Sequence, residues 1–362
     1  MVGLNMVRGI GPARARILLN HFGTAEAAWL ADEGDLRSSG LPKGVIENVL
    51  RLRSGIDLDR VMEKLEKRAI AVRTWDDPNY PRLLRDVANP PPVIYMQGQL
   101  RNDVEWAVAI VGTRRASSYG KEAARRLSAD LARNQITVVS GLAKGIDTVA
   151  HSATLEAGGY TIAVLGCGLD YVYPPENRAL SARIVEQGAL VSEYPLGTPP
   201  ESGNFPPRNR IISGLSLGTV VVEAGKRSGA LITASFALEQ GREVFAVPGN
   251  IYNRGSKGTN RLIFEGAHPV ADVRDILECL NLNMVEDHQI ARKILPANET
   301  EERLLQYISA EPVHADELGR QSNLPSATIT STLTVMELKG LVRHVGGMKY
   351  VLARENRGTY QV

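Results

Sequence analysis

Cysteine is almost absent. The 362-residue chain carries two, Cys167 and Cys279, with no partner motif around either. A disulfide framework is excluded, and a reducing compartment, the cytoplasm, is the expected location. Aromatic residues make up only 5%, fewer than a protein built to stack many bases would carry. Neither charge sign dominates, with 42 Lys and Arg against 40 Asp and Glu, so a polyanion site has to be local. No apolar run approaches a membrane span, and the first residues lack the charged, apolar, small-residue order of a signal peptide. The P-loop pattern is missing, because Gly120-Lys121 precedes Glu122 and Gly225-Lys226 precedes Arg227. Gly166-Cys167-Gly168 lacks the third glycine of a dinucleotide fingerprint. No H-E-x-x-H, C-x-x-C or clustered-carboxylate pattern suggests a metal, so none is expected. The six histidines are scattered, and His151 reads as a packed rather than a catalytic residue.

What is present is a repeated pattern. Five β-branched apolar runs end in glycine or serine with a cation or a turn: VAIVGTRR at 108–115, ITVVSGLAK at 136–144, TIAVLGCG at 161–168, TVVVEAGKRS at 219–228 and VFAVPGN at 244–250. None alternates with polar residues, as expected of strands buried on both faces. Helix-length stretches at 119–133 and 145–157 lie between them. The reading is an α/β fold, an extended Rossmann-like parallel sheet covered by helices. In such a sheet the loops leaving the strands' carboxyl ends gather on one edge, where ligands bind.

Four segments bring glycines and cations to that edge. The first holds Gly112, Arg114 and Arg115; the second Ser140, Gly141, Lys144 and Gly145; the third Arg208 and Arg210; the fourth Lys226, Arg227, Ser228 and Gly229. Glycine lets the backbone approach a phosphate, arginine grips it with parallel N–H bonds, and a helix N-terminus favours an anion. One such loop is weak evidence; four on one edge point to phosphate binding. One or two of these cations are expected to pair with Glu193 or Glu223 instead, and Asp147 is expected to brace its helix.

Two smaller modules flank the sheet domain, which is assigned to 57–285. Residues 1–56 read as a helical, helix-hairpin-helix or SAM-like unit with a Gly9-Ile10-Gly11 turn before Pro12 and with Arg8, Arg14 and Arg16 nearby. Between the modules run a helix at 57–67 and a proline-rich passage with one added strand. A linker is expected at 289–298. Residues 299–362 read as a winged helix, with helices at 301–309, 314–321 and 326–339 and a ribbon turning at Gly346-Gly347. Leu304, Ile308, Leu318, Ile329, Leu333 and Leu338 would form its core. The third helix has no arginine fork for guanine, which favours a partner-binding or accessory role over sequence-specific readout.

GTRRASSYG, SGLAKGIDTVAHSATL, NFPPRNRIISGLS and VVEAGKRSGALITASFALEQGREVFAVPGN, with NYPRLLRDVANPPPVIYMQG before them, resemble in order and spacing the DprA/Smf family of DNA-processing proteins. The resemblance implies sequence-independent binding of single-stranded DNA, protection of incoming strands in natural transformation, and loading of the RecA recombinase. It implies a homodimer, no nucleotide cofactor and no reaction; no membrane partner is expected, because no apolar run is long enough. Carried over by motif, Arg114 and Lys144 would clamp phosphates, with Lys226, Arg227, Ser228 and Gly229 lining the same pocket. A dimer interface is expected near Leu262, Ile263, Phe264, Ala267 and Val270, residues that would serve equally as core. An enzymatic alternative is similarity to nucleotide phosphoribohydrolases, whose P-G-G-x-G-T-x-x-E motif corresponds to LGTVVVE at 217–223, without the paired glycine and with Glu223 one residue late.

Overall fold

The computed structural model describes residues 1–99, 101, 106–282, 299–309, 312–322, 324–338 and 342–352. Contacts gather the chain into two compact units, Met1–Leu280 and Asn281–Val362. The first unit begins with α1 (Val2–Asn5), α2 (Pro12–Phe22), α3 (Ala25–Leu30), α4 (Glu33–Ser38) and α5 (Lys43–Gly55), packed around Leu4, Leu18, Leu36, Ile46 and Val49. Thr24 and Asp32 cap α3 and α4 by accepting backbone N–H groups. The bundle is joined to the sheet: Tyr95 Oη donates to Asn5 Oδ1 at 2.9 Å and Asn5 Nδ2 donates to Glu193 O at 3.3 Å. Two of the arginines near its glycine turn make contacts within the chain at the surface. Arg14 donates to Gly9 O at 2.6 Å, and the Arg16 guanidinium stands 5.6 Å over the Trp75 ring.

The sheet follows. Its elements are α6 (Leu58–Lys67), β1 (Ile70–Thr74), α7 (Arg82–Arg85), β2 (Val93–Gly98), β3 (Ala107–Val111), α8 (Ser118–Arg133), β4 (Thr137–Ser140), α9 (Ile146–Glu156) and β5 (Thr161–Leu165). Then come α10 (Arg178–Gln187), β6 (Ala189–Ser192), α11 (Phe205–Gly214), β7 (Gly218–Val221), α12 (Gly229–Glu239), β8 (Glu243–Ala246), α13 (Lys257–Phe264), β9 (His268–Pro269) and α14 (Val273–Cys279). Nine strands lie in the order β1-β2-β6-β5-β4-β3-β7-β8-β9. The seven from β6 to β9 are parallel; β1 and β2 add an antiparallel edge. Strands β2, β3, β4, β5, β7 and β8 match runs visible in the sequence, whereas β1, β6 and β9 correspond to none of the five apolar runs or the added strand.

The lack of alternation in these strands now has its cause. On β5, Ile162 and Val164 pack with Leu84 and Ile211 on one face, while Ala163 and Leu165 pack with Leu180 and Ile184 on the other. Both faces are covered, so every position is apolar. From β3 the chain steps through β4 and β5 to β6, then returns to lay β7 and β8 on the other side of β3. The order therefore reverses between β3 and β7, and the loops leaving those two strands diverge to open a crevice.

The second unit is a winged helix: α15 (Glu299–Leu305), β10 (Val313–His314), α16 (Ala315–Ser322), α17 (Ser326–Leu338), β11 (Val342–His344) and β12 (Lys349–Leu352). Leu304, Ile308, Leu318, Ile329 and Leu333 are buried as expected, joined by Met336 and Tyr350. β10 pairs with β12, a third strand that the sequence did not reveal. The expected linker at 289–298, residue 339 and the Leu338 side chain lie outside what is described. Among the described residues no helix is long and apolar enough to cross a membrane.

Candidate nucleic-acid interface

The crevice at the β3/β7 switch is a cleft of 710 Å³. Gly112 to Arg115 line it from the loop after β3, Ala143 from the loop after β4, Asp147 from the start of α9, and Ser228 to Ala230 from the start of α12. Phe205, Arg208 and Asn209 of α11 form its floor with Tyr173. The Phe205 ring is the centre of the arrangement. Arg114 stands 5.7 Å from its centroid and Arg208 5.9 Å, while the Tyr173 ring is 5.4 Å away and tilted by 33°. Two guanidiniums thus attend one aromatic plane, the geometry of cation–π contact.

The two arginines differ in setting. Arg114 is exposed, free to meet a ligand from solvent. Arg208 is buried and donates to Gly141 O at 2.8 Å and to Val164 O. Burial lowers its pKa to about 10, and Asp147 partly offsets that. Asp147 is itself pushed up to about 6 by burial, against the pull of Arg208 and of the Ala143 and Gly141 N–H groups that it accepts at 3.3 and 3.2 Å. Asp147 braces the loop after β4 rather than the helix that the sequence suggested, since it accepts from Gly141 N and Ala143 N and α9 has no side-chain cap. Gly141 sits between these charges: a Cβ there would lie 2.7 Å from Arg208 Nη2 and 2.9 Å from Asp147 Oδ2. Gly145 has φ +83, and a Cβ would lie 2.4 Å from Thr113 O. Glycine at both positions lets the loops after β3 and β4 touch.

Glu223, two residues past β7, holds the first loop in place. Its backbone carbonyl accepts from Thr113 N at 2.7 Å. Its buried carboxylate accepts from Ser117 N and Ser117 Oγ, both at 2.9 Å. The carboxylate is wedged against Gly120 and Gly255, where a Cβ would lie 2.1 and 2.3 Å from its oxygens. It does not line the cleft.

His151 is buried beneath the same loops, with Nδ1 2.7 Å from Thr161 Oγ1. Burial, then the Arg208 charge, holds its pKa down at about 3. A base depressed in the fold contributes stability above its unfolded pKa of about 6.5 and loses it as pH falls towards 3. Asp147, raised to about 6, acts in the opposite sense. His151→Gln is therefore expected to lose less stability than wild type between pH 7 and pH 4, by about 3 kcal/mol in urea unfolding. Equal losses in the two proteins would show that His151 is not held neutral.

The profile of DNA recombination-mediator protein A matches residues 71–281. Over 383 aligned positions the chain is 35% identical to protein Smf of Synechocystis sp., covering 96% of each. The chain belongs to the DprA/Smf family. Residues 289–348 match the DprA winged helix domain. The X-ray structure of DNA processing protein A from Streptococcus pneumoniae superposes with TM-score 0.69 at 36% identity, covering 76% of this chain and 95% of that one. DNA processing protein A from Helicobacter pylori, described by its single-stranded DNA binding mode, superposes with TM-score 0.53 at 29% identity, over 59% of this chain and 96% of that one.

Of the residues singled out in this DprA/Smf sequence, Gly112, Arg114, Arg115, Arg208, Ser228 and Gly229 meet at the cleft. Ser140, Gly141 and Gly145 lie just behind it; the Ser140 hydroxyl donates to Ile110 O at 2.6 Å. Lys144 is exposed outside the lining and pairs with Glu176 at 2.5 Å. Lys226 and Arg227 are exposed and also outside it. Arg210 lies outside the lining, largely buried against Glu193, and donates to Asn89 O at 2.9 Å. That is the structural pairing expected of one of the cations. Phe205 and Tyr173 were missed as site residues. Phe205 stood inside the quoted NFPPRNR segment, and its only signal was an aromatic beside two arginines in a chain poor in aromatics.

Proposed function

We propose that this protein binds single-stranded DNA without sequence preference, protecting incoming strands in natural transformation and delivering them to the RecA recombinase. The observation that carries the DNA reading is the Phe205 ring flanked by Arg114 and Arg208 at the switch-point cleft. A guanidinium takes a phosphate and a ring takes a base face. Every base has such a face, so the site is indifferent to sequence. A cleft sunk between strand ends admits an unpaired base more readily than a closed duplex. The H. pylori relative described by its single-stranded DNA binding supports the same reading. The RecA role rests on family membership alone, and pull-down of RecA by the DNA-bound protein tests it.

We also propose that the protein works as a homodimer, since two linked clefts raise effective concentration on one strand. Of the five residues considered for the interface, Val270 is buried and Leu262 and Ala267 pack against the core. Phe264 is 79% exposed on α13 and is the better anchor. Phe264→Arg should lower the mass seen by light scattering.

The test of the whole reading compares a labelled oligothymidine with a duplex across a salt series. The cleft belongs to the first unit, so deleting residues 299–362 should leave most of the affinity. Loss of all binding in that truncation would move the site to the winged helix. Release of free base from nucleoside monophosphates would favour the hydrolase alternative. Against that alternative stands Glu223, whose carboxylate is wedged behind the loop rather than presented to the cleft.

A further inference from the structure

Far from the cleft, three potential metal ligands converge on the outer edge of the sheet. Glu243 opens β8, His268 opens β9 and Cys279 closes α14. One donor atom from each lies within 4.8 Å of the other two. His268 Nε2 and Glu243 Oε2 already stand 3.0 Å apart. Among the described residues no other three His, Cys, Asp or Glu side chains gather in this way. The backbone under them is fixed by parallel pairing, with Phe245 opposite His268 and Ala246 opposite Pro269. The Phe245 ring also packs against the imidazole, centroids 5.5 Å apart. Glu243 lies at the amino end of β8, so the cluster is at the opposite end of the parallel strands from the DNA cleft.

We propose that Glu243, His268 and Cys279 form a zinc site. A thiolate, an imidazole and a carboxylate together suit Zn²⁺; Mg²⁺ and Ca²⁺ take oxygen ligands. Bonds of about 2.0–2.3 Å in a tetrahedron place donors about 3.3–3.8 Å apart, so closing the cluster takes a shift of about 1 Å. Rotamer changes supply it, because Glu243 and His268 are exposed and Cys279 is only partly covered. On binding, the Cys279 thiol releases its proton to solvent and the Zn–S bond forms. Three protein ligands leave the fourth position to water. The ion would join β8, β9 and the last turn of α14, fastening the edge of the sheet at the point where the first unit ends. The sequence holds no zinc signature because these residues are distant in the chain and meet only through the β8/β9 pairing.

The alternative is an ordinary surface ion pair beside an unrelated cysteine, and Cys279→Ser separates the two. The full-length protein, reduced and stripped with chelator, is titrated with Zn²⁺ by calorimetry and with Co²⁺ by absorption spectroscopy. One ion per chain, a thiolate-to-cobalt charge-transfer band and a raised melting temperature are expected. Cys279→Ser should abolish the band and weaken zinc binding by at least about 100-fold, the upper end of what loss of an outer-shell partner costs. His268→Ala should weaken it comparably, and Cys167→Ser, in the buried core, should change nothing. Light scattering on the same samples separates metal uptake from any change in assembly near α13. Absence of the cobalt band in the wild type, or wild-type zinc affinity in Cys279→Ser, overturns the proposal.

Discussion

Arg114→Ala is expected to weaken binding of an oligothymidine about 30-fold and to lower the salt slope by about 0.7. The first figure corresponds to about 2 kcal/mol, the range of a hydrogen bond to a charged group. The second is the release of counterions from one phosphate on a single strand. Arg114 is exposed at the mouth of the cleft and lies 5.7 Å over Phe205, so the substitution removes a phosphate contact and the cation on the ring together. Phe205→Ala should cost about 1–3 kcal/mol by loss of stacking, with the salt slope unchanged. The pair of measurements therefore distinguishes charge from stacking at one site. Lys226→Ala, outside the cleft lining, should have a much smaller effect. Wild-type affinity and slope in folded Arg114→Ala would remove the cleft from consideration as the DNA site.

Arg210→Ala is expected to act on stability instead. Arg210 and Glu193 form an ion pair in which each side chain is 13% exposed. Burial already raises the Glu193 pKa, and Arg210 is what draws it back down. Removing the arginine leaves a buried carboxylate unpaired, which costs about 3–5 kcal/mol. It also frees Asn89 O, so one hydrogen bond from α11 to the proline-rich passage is lost, while the packing of Leu84 against Ile211 remains. The denaturant midpoint should fall sharply, while the protein that remains folded binds DNA within a few-fold of wild type. Normal stability with lost DNA binding would return Arg210 to the DNA surface.

The contrast between Arg208 and Arg210 shows where sequence reasoning stopped. Both sit in one segment rich in cations, and both looked equally suited to phosphate. Two residues along a helix is a turn of about 200°, so one enters the cleft and the other faces the opposite side. Without the position of the α11 axis, the sequence gives no means of choosing. The long β-branched runs were legible because burial on both faces demands them. Strand β6, the four residues ALVS after Gly188, carries no such run, and β9 is two residues long. The cleft itself was legible in outline, since the loops after β3 and β7 advertise their glycines and cations. Its aromatic floor was not, because Tyr173 and Phe205 come from segments that meet only in three dimensions.

The pairing of Lys144 with Glu176 has a consequence for the kind of anion this edge can hold. A lysine alone in solvent carries a loosely held counterion that any phosphate can replace. Lys144 has instead a tethered carboxylate at 2.5 Å, a competitor whose local concentration never falls. A solitary small anion gains little by displacing it, and leaves Glu176 uncompensated nearby. A polymer whose neighbouring charges are already anchored in the cleft meets that competitor with its own proximity advantage. On the DNA reading proposed above, the tethered carboxylate would favour strands over mononucleotides at Lys144, by no more than the small amount that an ion pair this exposed is worth.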